Sequence, residues 1–312
     1  MQRRKFIEHV SWTGLGIVWT LGSNGLIPAC QTEDIPKASN SNIPKASSSS
    51  ALSFVQISDS HIGFNKPANE NVIETLEKTV KSINNLATTP AFVMHTGDIT
   101  HLSKPNEFDR AKQILSQLKA PMFTIPGEHD VIGDRGKAYT EAFPANDKRE
   151  GLQSWDRSGV HFISLNNVLD FGVDGKGKIG QEQLNVLKND LTAQKSDTPL
   201  VIFSHIPLYD LYPKWGWATE DSKQVLDLLS RFAAVSVLSG HIHQVIQHTE
   251  GKIQFHTAAS TAFPQPKPGE AEKPGPVKLP PDSLLKAIGY LNVEFIPDKA
   301  PNVTQYRTHL IS

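Results

Sequence analysis

The chain has 312 residues, 38% of them hydrophobic and 20% charged, with 31 Lys plus Arg against 32 Asp plus Glu. This globular composition leaves room for one large domain or two small ones, and it excludes a disordered chain and a multi-span membrane protein. A formal net charge of -1 gives no general electrostatic case for gripping DNA or RNA, so no nucleic-acid binding is expected, although a small phosphorylated ligand needs only a local positive site.

The first elements read as an address. Arg3, Arg4 and Lys5 form a basic start, and no Asp, Glu, Lys or Arg occurs between Glu8 and Glu33. The interval carries Trp12, Leu15, Ile17, Val18, Trp19, Leu21, Leu26 and Ile27, diluted by Gly14, Gly16, Ser23, Asn24 and Gly25. Such a run is poor for a permanent spanning helix of about 20 residues but suits the core of a signal peptide. Arg3-Arg4-Lys5-Phe6-Ile7 resembles a bacterial twin-arginine export signal, and Ile27-Pro28-Ala29-Cys30 resembles a lipoprotein processing site. Cys30 is the single cysteine, so no intrachain disulfide can form. The expectation is a signal peptide over 1–29, then a lipidated Cys30 and a flexible Ser-, Asn-, Pro- and Lys-rich tether over 30–50. The domain at 51–312 would then sit outside the cytoplasm, on the periplasmic or cell-surface side, as a membrane-anchored lipoprotein.

From residue 51 short apolar runs alternate with helical patterns. Strands are expected at 52–57, 91–94, 122–125, 160–165, 200–203 and 235–238. Helices are expected at 69–86, 105–118, 180–193 and 221–232. Three trailing segments, 253–257, 290–296 and 304–309, read as strands without helices between them. Repeated strand–helix–strand units imply a mostly parallel sheet covered by helices, and the trailing strands imply a second sheet or an antiparallel edge. The fold class is therefore α/β, with two sheets in one domain. Residues 264–281 contain seven prolines and read as an exposed loop without a core.

Ligand-type residues recur immediately after the strands. Asp59 and His61 follow the first, Asp98 the second, Glu128 and His129 the third, His205 the fifth, and His241 and His243 the sixth. Strand ends of a parallel sheet share one edge, where ligands bind, so these residues are expected in one crevice. Imidazole with carboxylate suits Zn, Fe or Mn. Two ions about 3.5–4 Å apart need a shared anionic ligand, and Asp98, set between Gly97 and Ile99, is the candidate bridge. Asp59 and His61 lie two apart, as do His241 and His243, so each pair needs a local turn to aim both side chains inward. A His-Glu-x-x-His helix is absent, which disfavours zinc-peptidase chemistry.

Asp59-x-His61, Gly97-Asp98, Gly127-Glu128-His129-Asp130, His205 and Gly240-His241-x-His243 together resemble the calcineurin-like metallophosphoesterase family, in the expected order over residues 53–258. The resemblance implies a four-layer α/β/β/α sandwich with two facing mixed sheets. It also implies a phosphodiesterase or phosphomonoesterase that uses a metal-bridging hydroxide to attack phosphorus. Two metal ions, of Fe, Mn or Zn type, are implied as cofactors. Asp59, His61, Asp98 and His243 would hold the first, and Asp98, Glu128, His205 and His241 the second. His129 would lie near the substrate phosphate, to stabilise charge or protonate the leaving oxygen, and Asp130 would orient its imidazole. The family usually has Asn where this chain has Glu128, so three readings stay open: an altered metal preference, a non-standard substrate, or a metal-binding protein of the same fold with little or no catalysis.

Other segments carry weaker signals. The aromatic run from Ile206 to Trp217 is either a pocket wall or lid, or a cluster pinning a surface loop. Lys214, Arg135, His101 and Asn167 are candidate phosphate contacts, and His256 reads as structural.

Overall fold

In the computed structural model the described residues are 52–144, 152–170, 175–296 and 303–311. The expected signal peptide, Cys30 and tether lie outside them. In chain order the elements are β1 (Leu52–Ile57), α1 (Val72–Asn84), β2 (Val93–His95), α2 (Pro105–Leu115), β3 (Met122–Thr124), α3 (Lys137–Ala142), β4 (Leu152–Arg157), β5 (Val160–Leu165) and α4 (Gln181–Thr192). They continue with β6 (Leu200–Ser204), α5 (Ser222–Leu229), β7 (Val235–Ser239), β8 (Gln247–Glu250), β9 (Ile253–Thr257), α6 (Pro281–Leu285), β10 (Gly289–Ile296) and β11 (Val303–Leu310). Single 3-10 turns span Glu128–Asp130 and Pro213–Trp215.

The strands form two sheets, with orders β11-β10-β1-β2-β3 and β4-β5-β6-β7-β9-β8. β1, β2 and β3 run parallel, whereas β10 joins β1 antiparallel and β11 extends that edge. In the second sheet β5, β6, β7 and β9 run parallel, with β4 and β8 added antiparallel at either edge. Both sheets are mixed, as expected.

Three buried clusters define the layers. Alternate residues of β1 point to opposite faces: Val55 and Ile57 meet Leu76 and Val80 of α1 and Phe108 of α2, while Leu52 and Phe54 face the other sheet. In β6 Val201 and Phe203 complete the cluster between the sheets, while Leu200 and Ile202 pack with Leu187 of α4 and Val225 of α5. The order is thus helices, sheet, sheet, helices. Strands buried on both faces read as continuous apolar runs, which is why β1, β2, β5, β6 and β7 were legible in the sequence. Between the sheets Phe54 stacks on Phe92 at 4.8 Å and Trp155 on Phe162 at 5.3 Å. Phe54, Phe92 and Phe162 are fully buried, and each such ring contributes roughly 1.5–3 kcal/mol.

Several boundaries differ from the sequence expectation for local reasons. The Asn71 side chain accepts the Glu74 amide at 3.2 Å, so α1 starts at Val72 rather than at 69. α2 starts at Pro105 as expected, with Glu107 accepting the Leu102 amide at 2.8 Å. The trailing strands are not free of helix, because α6 separates β9 from β10.

Beneath the ends of β1, β2, β6 and β7, polar side chains stitch the sheets together. Gln56 Nε2 donates to Thr96 Oγ1 at 2.9 Å and to the Ser239 carbonyl at 3.1 Å, and Ser204 and Ser239 share a hydroxyl hydrogen bond of 2.9 Å. All four are buried, and these bonds pair the Gln56 amide donors and the hydroxyls in the interior, where an unpaired polar atom is costly. It holds the two sets of strand ends face to face.

Candidate metal centre

The ligand-type residues do gather, but not along one sheet edge. Asp59, His61, Asp98 and Glu128 follow β1, β2 and β3 of one sheet, while His205, His241 and His243 follow β6 and β7 of the other. The crevice therefore lies between the sheets. Its backbone is tightly turned: Asp59, His61, Asp98, His241 and His243 all have positive φ, five of the eight such non-glycine residues among the described ones. Left-handed turns of this kind let residues two apart aim into the same space, at a cost of order 1–3 kcal/mol each. Gly97 sits at φ +96, and a Cβ there would lie 2.5 Å from His205 Nδ1 and 2.6 Å from the Gly127 amide nitrogen. Only glycine fits.

Two donor sets emerge. In the first, His61 Nε2 lies 3.1 Å from His243 Nε2, which lies 3.4 Å from Asp59 Oδ1. In the second, Glu128 Oε2 lies 2.8 Å from His205 Nε2, and Glu128 Oε1 lies 2.9 Å from His241 Nδ1. Asp98 Oδ2 stands between the sets, 3.5 Å from both His61 Nε2 and His205 Nε2. Its other oxygen, Oδ1, accepts the His129 amide at 2.9 Å. One oxygen is thereby anchored while the other faces both sets, the arrangement a bridging carboxylate needs.

The imidazoles are oriented by carbonyls from elsewhere in the fold. His205 Nδ1 donates to the Thr96 carbonyl at 2.6 Å, and His243 Nδ1 to the Phe263 carbonyl at 2.7 Å. Each Nδ1–H leaves Nε2 with its lone pair facing the crevice, which is the usual orienting device for metal-binding histidine. Asp59 accepts the His241 amide at 3.1 and 3.2 Å, tying the two sheets at the site itself.

The buried carboxylates and imidazoles shift one another's titration. Burial raises the Glu128 carboxyl, but His241 and His205 outweigh it and hold it well below the usual carboxylate range. Burial likewise raises Asp59, and His243 reverses the shift to a net lowering. Burial, then the imidazoles of His129 and His243, pushes His61 well below its ordinary value and so favours the neutral ligand form. Burial lowers His205, but Asp98 and Glu128 outweigh it and raise it well above its ordinary value. Glu128 Oε2, His205 Nε2 and His241 Nδ1 are buried without hydrogen-bond alignment despite their short separations. Convergent oxygen and nitrogen donors with unaligned protons fit a cation, so the residues present suit a dinuclear centre with imidazole and carboxylate ligands.

His129 and Asp130 lie beside these donors. His129 Nδ1 donates to the His101 carbonyl at 2.7 Å, and the two rings stack at 5.0 Å. The hydrogen bond that orients the His129 ring goes to the His101 carbonyl, whereas Asp130, the partner expected for that ring, bonds elsewhere. Its carboxylate accepts the amides of Ile99 (3.0 Å), Thr100 (2.7 Å) and Gly127 (3.0 Å), and the Thr100 hydroxyl at 2.8 Å. It therefore fixes the two loops that carry Asp98 and Glu128. Burial, then Asp98, pushes its carboxyl up to about 6 against the pull of those amides.

A cavity of about 380 Å³ opens onto the donors. Its lining includes His61, Asp98, Glu128, His129, His241 and His243, and beyond them His101, Lys66 and a wall of rings and prolines. Arg135 is not in this lining and pairs with Asp170 at an exposed site. Asn167 is buried and donates to the Ile206 carbonyl and Thr219 Oγ1, so it braces the 206–219 segment and offers nothing to a phosphate. His256 is buried, with its ring against Tyr306, a structural position as expected. Sequence reasoning passed over Phe64, Lys66, Phe263 and Gln265. Their signal was faint: the first pair closely follows Asp59-x-His61, and the second stands at the head of the proline loop.

Comparison with known proteins followed the same line. The signature of the Calcineurin-like phosphoesterase family matches residues 52–245. The chain is similar to a probable glycerophosphodiester phosphodiesterase, GpdQ, of Arcobacter nitrofigilis, at 28% identity over 222 residues, covering 66% of this chain and 77% of the relative. It is also similar to a 3',5'-cyclic-nucleotide phosphodiesterase of a Nostoc species, at 23% identity, covering 68% and 79%. Among solved structures, a dimetal phosphatase from Danio rerio superposes with a TM-score of 0.57 at 15% identity, covering 84% of this chain and 99% of that one.

Proposed function

Since this chain belongs to the calcineurin-like phosphoesterases, and is a metal-dependent phosphoesterase with a dinuclear site, we propose that it hydrolyses small phosphodiesters. Two features favour the diester over the monoester. Among the described residues Lys66 is the only Lys or Arg in the cavity lining, and Glu128 adds an anionic group there. Few fixed cations and an added carboxylate shrink the electrostatic advantage that a monoester's second negative charge would otherwise give it over a diester. Relatives at 23–28% identity are described as phosphodiesterases.

In this reading Asp59, His61 and His243 hold one ion, Glu128, His205 and His241 the other, and Asp98 serves both. Bound ions of Fe, Mn or Zn type supply an activated water and neutralise the phosphoryl oxygens. The chain does the rest. His129 is held by the His101 carbonyl with Nε2 toward the cavity, placed to protonate the leaving oxygen as the ester P–O bond breaks. The water's oxygen ends on phosphorus, and the products are an alcohol and a phosphomonoester. Asp130 keeps the loops in register from behind.

The observation that carries this reading is Asp98 Oδ2 at 3.5 Å from one histidine of each donor set. Its test is reconstitution with Mn, Zn, Fe or Co, with metal counted per chain and turnover measured on aryl mono- and diesters. Two ions per chain and faster diester hydrolysis are expected, and Asp98→Ala should lose both. A consistent monoester preference sinks the diester assignment.

We further propose that residues 1–29 direct export and that lipidated Cys30 tethers the domain outside the cytoplasm. The support is the order Arg3-Arg4, a weakly apolar stretch, then Cys30. Fractionation of Arg3→Lys/Arg4→Lys should find the protein in the cytoplasm, and Cys30→Ala should release it from membranes. Membrane recovery of both variants outside the cytoplasm refutes the address.

A further inference from the structure

The wall of the cavity beyond the metal donors is apolar, ringed and rigid. It is built by Phe64, Trp215, Trp217, Phe263, Pro274 and Pro276. Trp215 and Trp217 belong to the aromatic segment after β6, and Pro274 and Pro276 to the proline loop that the sequence left without a role. The two segments are tied together, because Trp215 Nε1 donates to the Glu272 carbonyl at 3.3 Å. The proline loop is tied in turn to the metal donors, since Gln265 Nε2 donates to the His241 carbonyl at 3.0 Å. The Val277 amide closes the loop on the Pro264 carbonyl at 2.9 Å.

Trp215 is itself held in place. Its ring meets Tyr212 at 5.0 Å and Trp217 at 4.8 Å, both nearly perpendicular. Its amide donates to the Tyr212 carbonyl at 3.0 Å, and Tyr212 bridges to Trp217 across the turn. Trp217 is 2% exposed, whereas Trp215 is half-buried and lines the cavity. A cluster that served only to pin the loop would not need a ring at the cavity face. Prolines and pinned rings lose little freedom when a ligand arrives, so the wall is preorganised. Among the described residues no Lys or Arg stands on this wall, so this side sorts ligands by shape and π-surface.

We infer that Trp215, with the Pro274–Pro276 corner, forms a subsite for a planar aromatic substituent on one ester oxygen of the phosphodiester. The inference rests on the phosphodiesterase reading and adds the identity of the ester group and the residue that selects it. Benzyl and nucleobase groups share this chemistry.

The test compares benzyl methyl phosphate with cyclohexylmethyl methyl phosphate on the metal-loaded enzyme. The two leaving alcohols are alike, and only the ring differs. In Trp215→Leu the ratio of kcat/KM values, benzyl over cyclohexylmethyl, is expected to fall about tenfold. Trp215→Phe should recover most of the ratio, and metal content confirms that both variants are assembled. An unchanged ratio in Trp215→Leu overturns the subsite. An adenosine 5′-(methyl phosphate) arm assigns the source of the ring. A higher kcat/KM than the benzyl ester points to a nucleobase, and a lower one to an aryl alcohol.

Binding separates this inference from the reading beneath it. Benzyl(methyl)phosphinate and its cyclohexylmethyl counterpart carry the same single charge and two P–C bonds, so neither can be hydrolysed. Calorimetry on the metal-loaded protein should show tighter binding of the benzyl compound, lost in Trp215→Leu. If no ester is turned over yet this binding difference holds, the phosphodiesterase reading fails and the aromatic subsite stands. Equal affinities overturn the subsite even if diesters are hydrolysed.

Discussion

Glu128 Oε2 approaches His205 Nε2 to 2.8 Å, and the two buried atoms make no hydrogen bond. A carboxylate and an imidazole placed in this way are arranged for a shared cation. Where the family pattern has a neutral amide, the negative charge should favour harder or trivalent ions. Glu128→Ala is expected to reduce bound metal from two ions to about one per chain. Glu128→Asn should keep two ions but lower the preference for iron over zinc by about tenfold. Elemental analysis after dialysis against mixed metals checks both, and unchanged content and preference in both variants would remove Glu128 from the ligand set.

His129 touches the cavity with its ring, while its amide holds Asp98. A side-chain change therefore leaves the bridge in place. His129→Gln should lower kcat by roughly 10²–10⁴ with metal content intact. The deficit should shrink as the leaving alcohol becomes more acidic and needs its proton less. A deficit that ignores the leaving group would assign the ring to charge stabilisation alone.

Asp130 accepts three backbone amides from two loops. Asp130→Ala strands those amides in the interior, and a loss of about 2–4 kcal/mol is expected from denaturant unfolding. Asp130→Asn keeps one acceptor oxygen and should lose less. If Asp130 acted on the His129 ring, Asp130→Asn would change kcat before it changed stability, and the reverse order is expected here.

Gly97 and Gly133 offer a matched pair. Both have positive φ, but a Cβ at Gly133 meets nothing within 4 Å, whereas one at Gly97 meets His205 and the Gly127 backbone. Gly133→Ala should cost only about 1 kcal/mol, the conformational term. Gly97→Ala should cost more and also lower metal content, because His205 must move. Equal losses in thermal unfolding, with full metal in both, would contradict the close packing behind the site.

His161 carries a pH effect far from the cavity. It is buried, with Nδ1 2.7 Å from Asp156 and Nε2 2.8 Å from Asp190. Burial lowers its pKa, but the two aspartates outweigh that and raise it above 6.5. A histidine raised on folding contributes stability in full below its unfolded pKa, and loses it as pH rises through the folded value. The Tm difference between wild type and His161→Gln should therefore be largest near pH 6 and shrink above pH 7. A difference that grows with pH would reverse the assignment.

The sequence was most legible where apolar runs ended in Asp, His and Gly. β5 and β9 appear at their expected bounds, and every expected metal ligand belongs to a close group of donor atoms. β8 escaped notice because Gln247–Glu250 is polar and exposed, with its backbone paired to β9. β4, with Gln153, Ser154, Asp156 and Arg157 around Trp155, hid for the same reason at the opposite edge. The orienting partners of His129, His205 and His243 are backbone carbonyls, which every residue carries, so no residue type could announce them. Asp130 was expected beside the His129 ring because the two are neighbours in sequence, whereas its hydrogen bonds in space run to backbone amides. The proline loop became meaningful only when the fold set Pro274 and Pro276 opposite the metal donors.

Strand β1 pairs with β2 on one side and with β10 on the other, Leu52 standing opposite Phe295. A ribosome therefore releases the ligand-bearing front of this sheet long before its closing partner exists. Until β10 emerges, the nascent chain presents a bare apolar strand edge, the kind that invites mispairing and chaperone capture. Stop codons or frameshifts upstream of Gly289 should accordingly yield insoluble protein even though every metal ligand has already been translated. If residues 1–29 direct a route that accepts only folded cargo, as proposed above, that route would discard the same products.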